Sequence, residues 1–339
     1  MNKKLLTGVA VFVLMIIVLL SFGQNVQAET KKIALVLSGD LGDRSFLDSA
    51  YRGLKWSEER LDVETRYVEP ANPSEFEPSI RAMARAGHDL IITLSFTMLD
   101  ATNNVAQDYP DTQFAIVDAV SQEQNVTSLM FKEHVGSYLV GVLAGKMTET
   151  DKLGFVGGME IPLIKRFQIG FEEGIKAVNP DAEINVGYVG AWDNPGNGKE
   201  IAKSQYQNGA DIVYHAAGKT GEGVIAAAKE EDKYEIGVDS DQCYIAYDNM
   251  IASMMKMVDI AVFEAIQDVT EGQLEPGTKV FGLQQNAVGP CRLYSDILDL
   301  DNHKDFTGLD EAMKAVEEYK EKILNGEITV TDPMEMDTE

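Results

Sequence analysis

The sequence predicts an α/β protein built as two doubly wound lobes. Three observations carry this. Short apolar runs alternate with helical patterns from Thr30 onward, and the rhythm breaks around residues 122–134 and then restarts. The runs are continuously apolar, as strands buried on both faces are. Helices of roughly 10 to 16 residues stand between them, which implies parallel sheets covered on both sides.

In the first half, Ile33 to Leu37 is a strand ending in Ser38-Gly39-Asp40-Leu41-Gly42-Asp43, and a helix runs from Ser45 to Leu61. Val63 to Val68 is a second strand and Ser74 to Ala86 a second helix. Asp89 to Leu94 is a strand, Met98 to Gln107 a helix, and Gln113 to Val117 a strand ending at Asp118.

In the second half, Gly136 to Thr148 is helical and Leu153 to Val156 a strand ending in two glycines. Leu163 to Val178 is a helix, and Ile184 to Val189 a strand ending at Gly190-Ala191-Trp192-Asp193. Lys199 to Asn208 is a helix, Asp211 to His215 a strand, Gly221 to Glu231 a helix, and Glu235 to Val238 a strand ending at Asp239. The pattern then gives a helix from Ala252 to Val269, a strand from Thr278 to Leu283 and an amphipathic helix from Leu309 to Leu324.

Composition limits the function. The chain has 339 residues, 55 of them acidic against 29 basic, for a formal charge of -26. Binding to nucleic-acid phosphates needs clustered Lys and Arg, so no nucleic-acid partner is expected. Two cysteines make neither a disulfide-dense scaffold nor a four-cysteine zinc site.

The N-terminus reads as an export signal. Lys3 and Lys4 precede an uncharged run from Leu5 to Phe22, and Val26-Gln27-Ala28 resembles a cleavage site. The run is long enough for an uncleaved anchor as well. No Cys lies in this segment, so lipid attachment through an N-terminal cysteine is excluded. Removing residues 1–28 takes away both lysines and no acid, which leaves 27 basic against 55 acidic residues and a net charge of -28.

In open α/β sheets, ligands gather at the carboxyl ends of the strands. Here those ends carry carboxylates, large aromatics and small-residue loops. Catalytic motifs are missing: there is no Gly-x-Ser-x-Gly and no His-Glu-x-x-His, and the four His are scattered. Gly218-Lys219-Thr220 fails as a phosphate loop because Val213 stands where the first glycine belongs. A binding site fits better. Carboxylates accept from hydroxyl and ring N–H groups, and aromatic faces stack on sugars or bases. No enzyme activity, metal or cofactor is expected.

Several segments together resemble the basic-membrane-protein family of ABC transporter substrate-binding proteins, which includes purine nucleoside receptors. They are Gly39-Asp-Leu-Gly-Asp-Arg-Ser-Phe46, Phe114-Ala-Ile-Val-Asp118, Ser137-Tyr-Leu-Val-Gly141, Gly154-Phe-Val-Gly-Gly158, Phe167-x-x-Gly-Phe171-x-x-Gly174, Tyr188-Val-Gly-Ala-Trp-Asp193, Ala216-Ala-Gly218-x-x-Gly221-x-Gly223, Gly237-Val-Asp-Ser-Asp-Gln242 and Ser253-Met-Met-Lys256.

The resemblance implies a type I periplasmic-binding-protein fold, two lobes joined by a hinge with three crossovers. The expected division is residues 29–125 with 246–282, and 126–245 with 283–339. It implies a monomer that closes on a small polar ligand, a purine nucleoside first, and delivers it to a membrane permease. By the same resemblance Phe46 and Trp192 sandwich the base, Asp118 contacts it, Asp239 and Lys256 hold the ribose, and Gly218 supplies backbone. Asp40 and Asp43 lie in the first binding loop.

Other readings stay open beside these. Phe46 could be a core residue, Asp118 a turn cap, and Asp241 rather than Asp239 the ligand group. Lys256, read within a helix, could simply snorkel to solvent. Phe96, Phe167 and His215 are second-tier candidates. Leu47 stands where family members often have Asn. Cys243 and Cys291 could form a disulfide or remain two thiols.

Overall fold

A computed structural model describes residues 30–295, 298 and 303–336. The export signal lies outside the described residues. Among them, no helix is long and apolar enough to cross a membrane.

Among the described residues, twelve strands form two six-stranded sheets. The first sheet takes β1 (Lys31–Val36), β2 (Val63–Val68), β3 (Leu90–Leu94), β4 (Gln113–Val117) and β5 (Val126–Phe131), and later β11 (Gly277–Phe281). The second takes β6 (Lys152–Gly157), β7 (Glu183–Tyr188), β8 (Ile212–Ala216), β9 (Tyr234–Asp239), β10 (Met250–Lys256) and β12 (Val288–Pro290). Their spatial orders are β11-β5-β4-β3-β1-β2 and β12-β10-β9-β8-β6-β7. Strand for strand the second sheet repeats the first, except that β12 pairs antiparallel to β10 whereas β11 is parallel to β5. This is the two-lobed architecture that the resemblance implies.

The chain passes between lobes three times: after β5, after β10 and between β11 and β12. That moves two expected borders. Residues 126–131, read as part of the break that opens the second lobe, form β5, hydrogen-bonded into the first sheet beside β4. Residues 250–256, read as the start of a helix and assigned to the first lobe, form β10 beside β9 in the second sheet. The cause is burial. All seven residues of β10 are buried, so Met-Ile-Ala-Ser-Met-Met-Lys shows no alternation that would separate strand from helix.

Helices cover both faces of each sheet. The first lobe has α1 (Phe46–Arg60), α2 (Phe76–Arg85) and α3 (Leu99–Asp108). The second has α4 (Glu133–Met147), α5 (Pro162–Val178), α6 (Pro195–Gln207) and α7 (Gly221–Glu231). After β10 the chain returns to the first lobe as α8 (Val258–Glu271), which packs on α1. α9 (Leu309–Leu324) then packs on α4.

The α4–α5 contact explains two of the sequence motifs. A Cβ on Gly141 would stand 2.3 Å from the Phe171 carbonyl oxygen, and one on Gly174 only 2.0 Å from that of Tyr138. Glycine is required there because the two helix backbones touch. α4 has no polar face; 14 of its 15 residues are buried, which marks it as a helix enclosed on every side.

Candidate functional site

The strand ends of both sheets face one cavity of about 580 Å³. All eight residues singled out from the sequence line it: Asp40, Asp43, Phe46, Asp118, Trp192, Gly218, Asp239 and Lys256. Phe96 and Phe167 line it too, and His215 does not.

The loop after β1 is shaped by its own acids. Asp43 accepts from the backbone N–H of Ser45, Leu47 and Asp48, at 2.9 to 3.1 Å. Asp48 accepts from Gly42 and Arg44. Asp43 therefore caps the start of α1, whose first residue is Phe46, and Asp48 ties down the loop before it. Asp40 is exposed at the rim.

Phe46 and Trp192, half-buried on opposite lobes, supply the aromatic surface. Trp192 packs against the turn after β6, where a Cβ on Gly158 would meet its ring at 2.5 Å. Gly218, at φ +56°, turns the chain from β8 toward α7. The loops around these residues are joined: the Thr220 N–H donates to the Trp192 carbonyl at 2.9 Å.

Lys256 is the electrostatic centre. It sits at the end of β10, a strand, and is 2 % exposed, so it does not snorkel. Its Nζ donates to both oxygens of Asp118, at 2.7 and 2.6 Å, and lies 3.0 Å from Glu133 Oε1. The rings of Phe131, Phe46 and Phe167 stand 5.1, 5.3 and 5.7 Å from the same nitrogen. Burial alone would push this ammonium down; the Asp118, Glu133 and Asp239 charges outweigh it and hold it well above its ordinary value.

The ion pairs continue away from the cavity. Arg166 donates to Glu133 Oε2 and to the Phe131 carbonyl, both at 2.7 Å, and to the two oxygens of Asp332. Asp118, Lys256, Glu133, Arg166 and Asp332 thus alternate in sign from the cleft to the last described segment. Glu133 and Arg166 were not anticipated from the sequence. A signal existed for Arg166: it stands four and eight residues before Gly170 and Gly174, on the stripe that faces α4.

Asp239 takes the matching place in the second lobe. Its Oδ2 accepts from Ser45 Oγ at 2.5 Å, across the cleft, and Ser240 Oγ donates to the Ser45 carbonyl at 3.2 Å. Burial pushes the Asp239 carboxyl up to about 7, against the opposing pull of Lys256 and Ser45. Asp241 points elsewhere, to the Cys243 N–H and His303. His215 is fully buried 3.3 Å from Glu235, with no opening to the cavity. The Cys243 and Cys291 sulfurs are 4.0 Å apart as two thiols.

Chemically the cleft offers carboxylate acceptors, a buried cation and aromatic faces from both lobes, a set that can hold a small polar molecule.

Comparison with known proteins agrees. Residues 30–333 match the family described as ABC transporter substrate-binding protein PnrA-like. The CD4+ T-cell-stimulating antigen of Listeria innocua is 37% identical, over 91% of this chain and 90% of the relative. The ABC transporter nucleoside-binding protein BmpA of Lactococcus lactis is 32% identical, over 90% of each chain. Among solved structures, an ABC transporter system solute-binding protein from Aeropyrum pernix superposes with a TM-score of 0.79 at 29% identity, covering 90% of this chain and 94% of the other. The fold is that of type I periplasmic solute-binding proteins.

Proposed function

The chain belongs to the Bmp family of PnrA-like ABC transporter substrate-binding proteins, and from that premise we propose that its cleft captures a purine nucleoside outside the cytoplasm and delivers it to a membrane permease. One observation carries the reading: a buried lysine and two buried aspartates share a cavity with two exposed-face aromatics from opposite lobes. The nucleoside-binding relative in Lactococcus lactis supports it.

In this reading the base lies between Phe46 and Trp192, and each stacked face contributes about 1–3 kcal/mol. Asp118 accepts from a purine N–H or amino group, using lone pairs that Lys256 leaves free. Asp239 accepts from the ribose diol, Lys256 donates to it in exchange for one of its present carboxylate contacts, and Gly218 offers backbone. Asp43 holds the loop in shape rather than touching ligand. A volume near 580 Å³ falls within the ordinary range for a small-molecule pocket. The surrounding acidity disfavours a phosphorylated ligand.

Calorimetry across inosine, guanosine, adenosine, free bases and hexoses tests the proposal. Purine nucleosides should bind in the micromolar range or tighter, and Trp192→Ala should lose that binding with the fold intact. No heat from any purine nucleoside would overturn it. Release of free base from inosine would show an enzyme instead of a receptor.

A further inference from the structure

The mixed cluster of Asp241, Cys243, Cys291 and His303 lies outside the cleft. One donor atom from each of the four lies within 4.8 Å of the others. The two sulfurs are 4.0 Å apart and His303 Nε2 is 2.8 Å from Asp241 Oδ2. A tetrahedral zinc ion with bonds of 2.0 to 2.3 Å needs its ligand atoms roughly 3.3–3.8 Å apart. Shifts of under about one ångström bring the four donors to that spacing.

The surroundings are those of a prepared site. Cys243 and Cys291 are 1% and 0% exposed, and the His303 side chain is 1% exposed. The other ring nitrogen, His303 Nδ1, is buried with no hydrogen-bond partner among the described residues. The ligand-bearing segments are held by bonds of their own. Asp241 Oδ1 accepts from the Cys243 N–H at 3.1 Å, and the Ser253 N–H donates to Cys291 Sγ at 3.2 Å. Arg292 donates to the Ile251 and Lys304 carbonyls, which ties the chain beside His303 to β10.

We propose that Asp241, Cys243, Cys291 and His303 form a structural Zn2+ site. The donor set decides the metal. Two thiolates and an imidazole with one carboxylate suit zinc, whereas calcium and magnesium take oxygen-rich shells. Four protein ligands close the coordination sphere, so the ion braces rather than catalyses. It joins the loop after β9, two residues beyond Asp239, to Cys291 after β12 and to the segment at His303. A disulfide would use the two sulfurs and leave the convergence of His303 and Asp241 unexplained.

The test uses the whole chain, produced with zinc present and purified without added reductant. Elemental analysis should find about one zinc per chain, and Cys291→Ser and His303→Ala should each lower that content about tenfold at limiting zinc. Should those variants fail to fold, the unaltered chain still decides: exchange with Co2+ should give thiolate-to-cobalt charge-transfer absorption and intense tetrahedral bands. A chain two mass units light with no titratable thiol would identify a disulfide and overturn the proposal. Metal-free protein with two free thiols, or a cobalt spectrum without charge transfer, would overturn it equally.

Discussion

Asp118 and Asp239 hold the same place in the two lobes. One follows β4 and the other ends β9, strands that occupy equivalent positions in their sheets. Both have left-handed backbone, at φ +64° and +63°. Aspartate is among the few side chains that tolerate this region, where others pay about 1–2 kcal/mol per residue. Asp239→Asn should therefore fold as the parent does, while Asp239→Ala should be less stable than Asp239→Asn by about 1–2 kcal/mol. Urea unfolding compares the two variants. Equal midpoints would show that the backbone at this position carries no strain.

Among the described residues, Lys256 is the only cation that Asp118 bonds directly. Removing it strands Asp118 and leaves Glu133 with Arg166 alone. Lys256→Met should cost about 3–5 kcal/mol, the range for breaking a buried ion pair from one side. Adding Asp118→Asn should recover part of that loss, because the uncompensated charge goes with it. A double-mutant cycle in urea measures the coupling. Additive losses would mean that the 2.6 Å contact contributes nothing specific.

The strand–helix alternation was legible because buried parallel strands and amphipathic helices differ in length and period. It failed where burial erased the period, at β5 and β10, and with β10 went the strand setting of Lys256. The cavity residues were legible for a topological reason: Asp118, Trp192, Gly218 and Asp239 all stand at or just beyond strand ends. Glu133 comes from a helix, and nothing in its local pattern says that it meets Lys256, 123 residues away; the stripe that places Arg166 against α4 does not say that it pairs with Glu133. Asp43 was legible as a cavity residue, but not as a cap, since its partners are backbone amides. Two cysteines 48 residues apart could be counted, yet only the fold brings Asp241 and His303 beside them.

The helix contact behind the α4 and α5 glycines gives a stability prediction independent of ligand. Gly174→Ala places a methyl 2.0 Å from the Tyr138 carbonyl oxygen, an atom fixed within a helix. The helices must separate, and overpacking of this kind costs about 1–3 kcal/mol even though alanine favours helix more than glycine does. Thermal unfolding of Gly174→Ala and of a control at Gly196, exposed in α6 with nothing nearer than 3.6 Å to an added Cβ, separates the two effects. A Gly174→Ala protein as stable as the parent would mean that α4 and α5 can part without loss.

His134 sets a pH limit on the same region. It is buried beside Arg166, 3.7 Å from Asp332, with Glu133 and Lys132 also facing it. Burial, then the Arg166 charge, lower its pKa from 6.5 to about 4, against the pull of Asp332 and Glu133. The sign follows from proton counting. Between pH 6.5 and 4 the unfolded chain binds the proton and the folded chain does not, so stability rises with pH across that window. The contribution is complete above about 6.5 and falls away as the pH drops toward 4, by roughly 3 kcal/mol at most. Asp332, with its pKa lowered by Arg166 despite burial, loses its own contribution only below its ordinary value of 3.8. His134→Gln should reduce the slope of the unfolding free energy between pH 6.5 and 4 by up to about one proton's worth, while His215, lowered to about 4 by burial, and Asp239, raised to about 7, keep their own shares. Parallel curves for parent and variant across that window would show that His134 titrates normally in the fold.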